Sequence, residues 1–457
     1  MKRIAMQQLD SWKISRNRKP LIIRGARQTG KTWLSKEFGR TRYSSMARID
    51  LMNSERAKHF FDGDLNIPRI LRNISLETNV PITTDTLIIL DEIQECPRAL
   101  TALKYFCEDA PEYHVIATGS YMGITRHEGD SYPVGKVNTL TLNPMSFIEY
   151  LYAIGQEMMA EAMTDHQSIA DMDAMFHNKL RTYLKEYMVI GGMPAVVSDF
   201  AEHHDVVETR RLQRDILDDY DADFSKHAPL RMLERIRLVW SSLPTQLAKE
   251  NRKFIYGTLR NGARARDFEE SIQWLCDYGA AIRVPAVTAI RTPLAAYADT
   301  AAFKLFALDC GLLGALADLN PRTILDGDAL FTEFKGAFTE QYVCQQLVAQ
   351  QLQPYYWSAP RGRAEVDFVV DHPCTVLPIE VKAEENLHAK SLRTATEHFA
   401  LAQAVRTSLS GYRNDGWVLN LPLWSIDTLR NLDIVPTSPT ASTPSSPTPT
   451  SPNLHSS

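Results

Sequence analysis

The eight residues Gly25-Ala26-Arg27-Gln28-Thr29-Gly30-Lys31-Thr32 fit the pattern G-x-x-x-x-G-K-[ST]. Glycines at both ends permit backbone angles that let successive N–H groups converge on phosphate oxygens. A helix opening at Lys31 would aim its positive end at the same anion. Lys31 is then expected to reach the β- and γ-phosphates, with the Thr32 hydroxyl as a ligand to Mg²⁺. Gly25 to Thr32, with Trp33 directly after, are thus the expected binding residues for ATP and Mg²⁺. Downstream, the apolar run Leu87-Ile88-Ile89-Leu90 ends in Asp91-Glu92. An apolar strand ending in two acids places both at the carboxyl edge of a parallel sheet, beside the loop. Asp91 is expected to hold the metal through water, and Glu92 to polarise the attacking water as general base. The second acid points to hydrolysis rather than transfer to a small acceptor. A third run ends in Ala117-Thr118-Gly119-Ser120, where the Ser120 hydroxyl is a candidate sensor of the γ-phosphate; a plain turn would use the same residues.

A second constellation lies towards the carboxyl end. Glu340 falls on an expected helix, Asp367 on an expected strand, and Glu380-Val381-Lys382 on the next strand. Side chains alternate along a strand, so Glu380 and Lys382 share a face, where Asp367 on a neighbouring strand can meet them. Carboxylates brought together bind Mg²⁺ through oxygen, and a nearby lysine can orient or deprotonate a metal-bound water for attack on a phosphodiester. Asp367, Glu380 and Lys382 are therefore candidate catalytic residues, and Glu340, Asp367 and Glu380 candidate metal ligands. The set resembles the PD-(D/E)XK nuclease core. A Glu–Lys pair on a sheet surface, worth under about 1 kcal/mol, would show the same spacing. Against that, Asp367 and Glu380 are embedded among Val, Ile and Phe, where an uncompensated acid is costly.

These residues need elements to position them. From Pro20 to Tyr150 short apolar runs (21–23, 87–90, 115–117) alternate with helical stretches, the pattern of a parallel α/β sheet. Residues 1–18 read as a short basic helix leading into the first strand. Residues 151–225 read as a helical linker or lid, broken at Gly191-Gly192-Met193-Pro194. In 226–316, helices near 231–248 and 264–278 precede two short strands, 281–284 and 304–307, an order that resembles a winged helix. In 317–435 a helix precedes strands again. From 436 to 457 the chain is almost entirely Pro, Ser and Thr, without Asp, Glu, Lys or Arg, which reads as a disordered tail.

Composition bounds the rest. The chain has 457 residues, 44% hydrophobic and 23% charged, enough apolar material to offset the entropy of ordering a backbone, so a wholly disordered chain is excluded. A net charge of −5, from 50 Lys+Arg against 55 Asp+Glu, argues against coating nucleic acid non-specifically but leaves room for a local basic surface. Arg252, Lys253, Arg260, Arg264 and Arg266 are candidates for following DNA phosphates, although Asp267, Glu269 and Glu270 lie just beyond. Trp240 and Trp274 read as helix core rather than stacking platforms. The six cysteines (96, 107, 276, 310, 344, 374) show neither CxxC nor zinc spacing and read as free thiols of a reducing compartment. The charged amino terminus lacks the apolar core of a signal peptide, and no run approaches the ~20 apolar residues of a membrane helix. A cytoplasmic protein without membrane association is expected.

The loop 24–32, Leu90-Asp91-Glu92-Ile93-Gln94 and Thr118-Gly119-Ser120 together resemble prokaryotic AAA-type ATPases that carry a C-terminal domain of unknown function, DUF4143. Three later segments agree: Leu142-x-Pro144-Met145-Ser146-Phe147-x-Glu149-Tyr150, Gly191-Gly192-Met193-Pro194, and Phe306-Ala307-Leu308-Asp309-x-Gly311-Leu312-Leu313. The resemblance implies an α/β protein. It would comprise a P-loop AAA+ ATPase core (1–150), the helical linker, the winged-helix-like unit and a restriction-endonuclease-like carboxyl domain. Relatives often carry Gly-Arg after the third-strand motif, a candidate arginine finger; here the stretch reads Pro133-Val134-Gly135-Lys136, and Lys136 lacks the planar fork that grips phosphate twice. Arg126 is the alternative donor. The expected function is an ATP·Mg²⁺-hydrolysing machine acting on duplex DNA, with nuclease chemistry at the carboxyl cluster. Its rival is a nucleotide-switched ATPase that binds a protein partner and carries an inert nuclease-like fold. Either could assemble into an oligomer.

Overall fold

The computed structural model describes residues 1–120, 133–249, 252–325, 332–360, 364–373, 375–385 and 387–432. Arg126, Cys374 and the 436–457 segment lie outside the described residues.

Five parallel strands form the first sheet: β1 (Leu21–Gly25), β2 (Ser45–Asp50), β3 (Thr86–Asp91), β4 (His114–Ser120) and β5 (Asn138–Thr141), in the order β2-β3-β4-β1-β5. Among its helices are α1 (Ala5–Ile14), α2 (Lys31–Arg42), α3 (Ile67–Thr78) and α4 (Pro97–Asp109). Strand alternation sorts the apolar runs onto two faces. Ile22, Ile88, Leu90, Val115 and Ala117 pack with Ile70 and Ile74 of α3 and Leu103 of α4. Leu21, Ile23, Leu87, Ile89 and Ile116 pack with Leu9 of α1 and Leu34 and Phe38 of α2. Continuous apolar strands are what a parallel sheet covered on both faces demands. Strand β4 lies between β1 and β3, so the loop after β1 and the acids ending β3 flank one strand end.

A helical region follows: α5 (Phe147–Ala153), α6 (Ala174–Ile190), α7 (Pro194–His203), α8 (Val206–His227), α9 (Leu230–Leu247) and α10 (Ala265–Tyr278). The expected break falls between α6 and α7. Gly191 has φ +75°, a Cβ on Gly192 would overlap the Met145 carbonyl oxygen, and Pro194 starts α7 with no N–H to lose. Trp240 and Trp274 are buried, each edge-on to Phe224.

The antiparallel pair β6 (Ala281–Val287) and β7 (Ala298–Ala307) leads into α11 (Cys310–Leu316) and α12 (Thr332–Ala349). Then come β8 (Tyr355–Ser358), β9 (Glu365–His372), β10 (Thr375–Val381), α13 (Lys390–His398), β11 (Ala404–Ser408), β12 (Arg413–Asn414) and β13 (Val418–Pro422). All eight strands form one sheet, ordered β12-β13-β11-β10-β9-β8-β6-β7. The join is parallel, with Ala286 opposite Tyr356 and Val287 opposite Trp357. The hairpin expected in a separate unit thus continues the carboxyl sheet. Pairing β6 with β8 removes what would otherwise be an open sheet edge. Among the described residues, no helix is long and apolar enough to cross a membrane.

Candidate functional site

The loop between β1 and α2 calls for glycine at two positions, one for lack of space and one for its backbone angle. A Cβ on Gly25 would overlap the Leu142 carbonyl oxygen, and Gly30 has φ +91° as the residue before α2. Lys31 is buried, and its Nζ donates to the carbonyls of Gly25 at 3.1 Å and Ala26 at 2.7 Å. Burial lowers its pKa to about 8, against the opposing pull of Glu92 and Asp91. The buried Arg3 guanidinium supports the loop from below. It donates to the Thr29 carbonyl at 3.1 Å and pairs with Glu149 of α5 at 3.0 Å.

At the end of β3, Asp91 is 2% exposed and its two oxygens have separate partners. Oδ1 accepts from the Thr32 hydroxyl at 3.0 Å and from the Thr118 hydroxyl. Oδ2 accepts from Arg48 on β2, at 2.6 Å from Nη2 and 3.1 Å from Nε. Glu92 has φ +53°; its N–H donates to Thr118 Oγ1 at 3.4 Å, and its carboxylate accepts from the Gln94 amide. Thr32 and Asp91 offer hard oxygen donors, which suits Mg²⁺. Among the described residues no group of three or more His, Cys, Asp or Glu side chains is arranged to hold a metal ion. A metal here would therefore complete its shell with phosphate oxygens and water, as Mg²⁺ in nucleotide sites does.

Helix α8 closes the opposite wall. Arg27 Nε pairs with Asp223 at 2.8 Å, the Gln28 amide donates to Asp219 at 2.8 Å, and the Tyr220 hydroxyl donates to the Arg27 carbonyl at 2.9 Å. The resulting cleft of about 750 Å³ is lined by Lys31, Thr32, Trp33, Glu92 and Ser120 on one side and by Ala222 and Lys226 on the other. Its size lies within the roughly 300–1,000 Å³ of small-ligand sites. The structure thus gathers Gly25 to Trp33, Asp91, Glu92 and Ser120 at one strand-end cleft. Lys136 does not join them: it precedes β5, at the opposite edge of the sheet, and pairs with Glu108 at 2.8 Å.

The carboxyl constellation gathers in one place, with cations that the sequence did not announce, but Glu340, Asp367 and Glu380 are not arranged as a three-carboxylate metal group. Asp367 on β9 lies beside β10, where its Oδ2 accepts the Val381 N–H at 2.8 Å. Glu380 Oε1 pairs with Lys382 at 2.7 Å, while Glu380 Oε2 is buried without a hydrogen-bond partner. Glu340 on α12 lies near enough to Asp367 for their charges to repel, and its oxygens meet Arg252 and the fully buried Lys304, the latter at 3.4 Å. Lys304 further pairs with Glu365 at 2.8 Å. Burial, then the neighbouring Asp367 charge, pushes both Glu340 and Glu380 up to about 7. The expected basic row is dispersed. Arg252 is engaged with Glu340, Lys253 reaches Ser358, Arg260 lies over Phe268, and Arg266 faces Asp267. Arg264 caps α10 with its backbone N–H on Asp267. A charged residue inside the apolar run Phe303-Lys304-Leu305-Phe306 was the available signal for Lys304.

Three motif segments that carry no charge chemistry of their own meet at one buried polar centre. Asp309 accepts from the Gly192 N–H at 2.6 Å, the Leu312 N–H at 3.0 Å and the Gln345 amide at 2.9 Å. The Tyr187 hydroxyl accepts from Gln345 and Gln346 and donates to the Met145 carbonyl at 2.5 Å. Gln346 accepts the Phe147 N–H at 2.9 Å. Helix α12 therefore bonds to the end of the first domain through Gln346 and carries Glu340 six residues earlier.

Three family models match separate parts of the chain. Residues 17–151 match the family described as an AAA domain. Residues 181–323 match a domain of unknown function (DUF8612), and 335–424 match a second one (DUF4143). No curated protein matches the chain. Among solved structures, the chain is similar to the Walker-type ATPase paby2304 of Pyrococcus abyssi, at 13% identity over 68% of this chain and 94% of that one, with a TM-score of 0.42. It is also similar to the Aeropyrum pernix ORC1 protein in complex with DNA (12% identity, 68% and 90% covered, TM-score 0.27). A third is the Thermotoga maritima RuvB Holliday junction branch migration motor (12% identity, 62% and 90% covered, TM-score 0.29). The chain is thus similar to an AAA domain over the part that carries the parallel sheet and the β1–α2 loop, and to two domains of unknown function beyond it.

Proposed function

We propose that this protein is an ATPase that hydrolyses ATP in the cleft between the β1–α2 loop and helix α8. The observation that carries this reading is the meeting of Lys31, Thr32, Asp91 and Glu92 at one strand-end cleft, with Thr32 and Asp91 hydrogen-bonded at 3.0 Å. The loop N–H groups and Lys31 bind the triphosphate, and Trp33 borders the bound nucleotide. Thr32 and Asp91 would hold Mg²⁺, which would neutralise negative charge on the phosphates. Glu92 orients the attacking water and accepts its proton, and Ser120 contacts the terminal phosphate. Asp219 and Asp223 connect the occupied loop to α8, and so to the carboxyl domains.

Those domains are proposed to act on duplex DNA. Asp367, Glu380 and Lys382 serve as a PD-(D/E)XK nuclease-like centre on the sheet that the β6–β7 hairpin extends. The buried, unpartnered Glu380 oxygen supports a cation at that centre. A second reading has its own observation. Glu340 is engaged by Arg252 and Lys304, which favours an inert centre in a nucleotide-switched, protein-binding ATPase. Steady-state ATP turnover with and without duplex DNA separates the two. Stimulation of several-fold by DNA supports the first, and turnover indifferent to DNA supports the second. Glu92→Gln tests the base: it should bind ATP as the wild type does while turnover falls by about 10²–10⁴.

A further inference from the structure

Strands β2 and β3 run parallel in register, with Asp50 opposite Asp91 and Arg48 opposite Ile89. Arg48 and Asp50 share a face of β2, since residues two apart project the same way. From there the Arg48 guanidinium reaches across to Asp91. Both contacts fall on one oxygen, Oδ2, at 2.6 Å from Nη2 and 3.1 Å from Nε, and Nη2 also touches Asp50 at 3.1 Å. The other oxygen, Oδ1, accepts from the Thr32 hydroxyl on the cleft side and from the Thr118 hydroxyl of β4. Asp91 is 2% exposed and the Arg48 side chain 28%, so the pair is poorly screened by solvent and its charges act at close range.

We propose that Arg48 is a positioning residue that neutralises Asp91 until a nucleotide arrives, so that the divalent cation enters the cleft only together with ATP. The proposal rests on the reading of Thr32 and Asp91 as the metal-holding pair. An acid whose charge is matched by a guanidinium is a weak ligand alone. A nucleotide brings phosphate oxygens that complete the shell, and Arg48 fixes Asp91 so that Oδ1 alone is offered. The fork matters: a lysine at this position could balance the charge but could not place two N–H groups on one oxygen while holding Asp50. A residue that merely joined β2 to β3 would affect folding and leave metal affinity unchanged.

The test uses the full chain and Mn²⁺ as the probe, with bound and free Mn²⁺ separated by electron paramagnetic resonance. Wild type, Arg48→Gln, Arg48→Lys and Asp91→Asn are titrated without nucleotide and then with a non-hydrolysable ATP analogue. Wild type should take up Mn²⁺ only with the analogue. Without it, Arg48→Gln should bind Mn²⁺ roughly 10-fold or more tightly than wild type, Arg48→Lys should fall between, and Asp91→Asn should bind none. Equal nucleotide-free affinity in a folded Arg48→Gln and wild type overturns the proposal. If Arg48→Gln fails to fold, Arg48→Lys decides by the same comparison. A wild type that takes up no Mn²⁺ even with the analogue defeats the metal–nucleotide reading itself, and the proposal with it.

Discussion

Replacing Asp309 by alanine should loosen the buried centre that joins the α6–α7 turn to α11 and α12, and the cost can be worked from its partners. The carboxylate is fully buried and accepts three hydrogen bonds, from the Gly192 N–H, the Leu312 N–H and the Gln345 amide. Alanine leaves all three donors buried and unpaired, at about 1–3 kcal/mol each. One of them belongs to the helix cap of α11, a position where loss typically costs about 1 kcal/mol. Partial entry of water into the vacated space draws the sum towards the low end, about 3–5 kcal/mol. That is a large share of the roughly 5–15 kcal/mol that holds a typical domain. Asp309→Asn keeps the shape, but its amide hydrogens must face one of the donors, so about 1–2 kcal/mol is expected. Urea unfolding followed by fluorescence of the buried Trp240, Trp274 and Trp424 reads the change. An alanine variant whose midpoint and slope match the wild type would refute the reasoning.

Three further outcomes follow from the site. Lys31 is held to about 8 by burial, so the free protein loses its ammonium charge above that pH whereas bound phosphates retain it. The ATP dissociation constant should therefore rise by up to about 10-fold per pH unit above pH 8, and a flat affinity from pH 7 to 9.5 would contradict this. Asp367→Asn should abolish metal-dependent DNA cleavage and spare ATP turnover; cleavage persisting in the variant would remove Asp367 from the chemistry. Glu340 and Glu380 sit near 7 in the fold against an ordinary 4.5, so the folded state holds more protons than the unfolded chain between those values. Their contribution to stability then falls as pH rises through that window. Unfolding midpoints at pH 5 and 7.5 should show a smaller fall in Glu380→Gln than in wild type, and equal falls would count against it.

The nucleotide cleft was legible because its chemistry is local. A phosphate loop needs its glycines and lysine within eight residues, and an acid pair at a strand end announces itself by the apolar run before it. Strands β1, β3 and β4 were legible for the same reason, as buried apolar segments. Strand β2 was not: Ser45-Met46-Ala47-Arg48-Ile49-Asp50 has neither a continuous apolar run nor a strict alternation, and the purpose of its Arg48 appears only beside Asp91. The joining of β6 to β8 was hidden because pairing between distant segments leaves no trace in either alone. The same holds for Arg252 and Lys304 at Glu340. Their partners lie 88 and 36 positions away, and spacing rules reach only one helix or strand. The motifs around Met145, Gly192 and Asp309 could be seen in the sequence, but their meeting at Tyr187 and Gln345 is a property of the fold.

The central claim is that ATP is hydrolysed in the cleft built by Lys31, Thr32, Asp91 and Glu92. Phosphate release from Mg²⁺·ATP by purified wild type and Lys31→Ala, measured side by side under identical conditions, tests it most directly. Steady turnover by the wild type and background release by a folded Lys31→Ala variant are expected. Equal rates from the two proteins would contradict it.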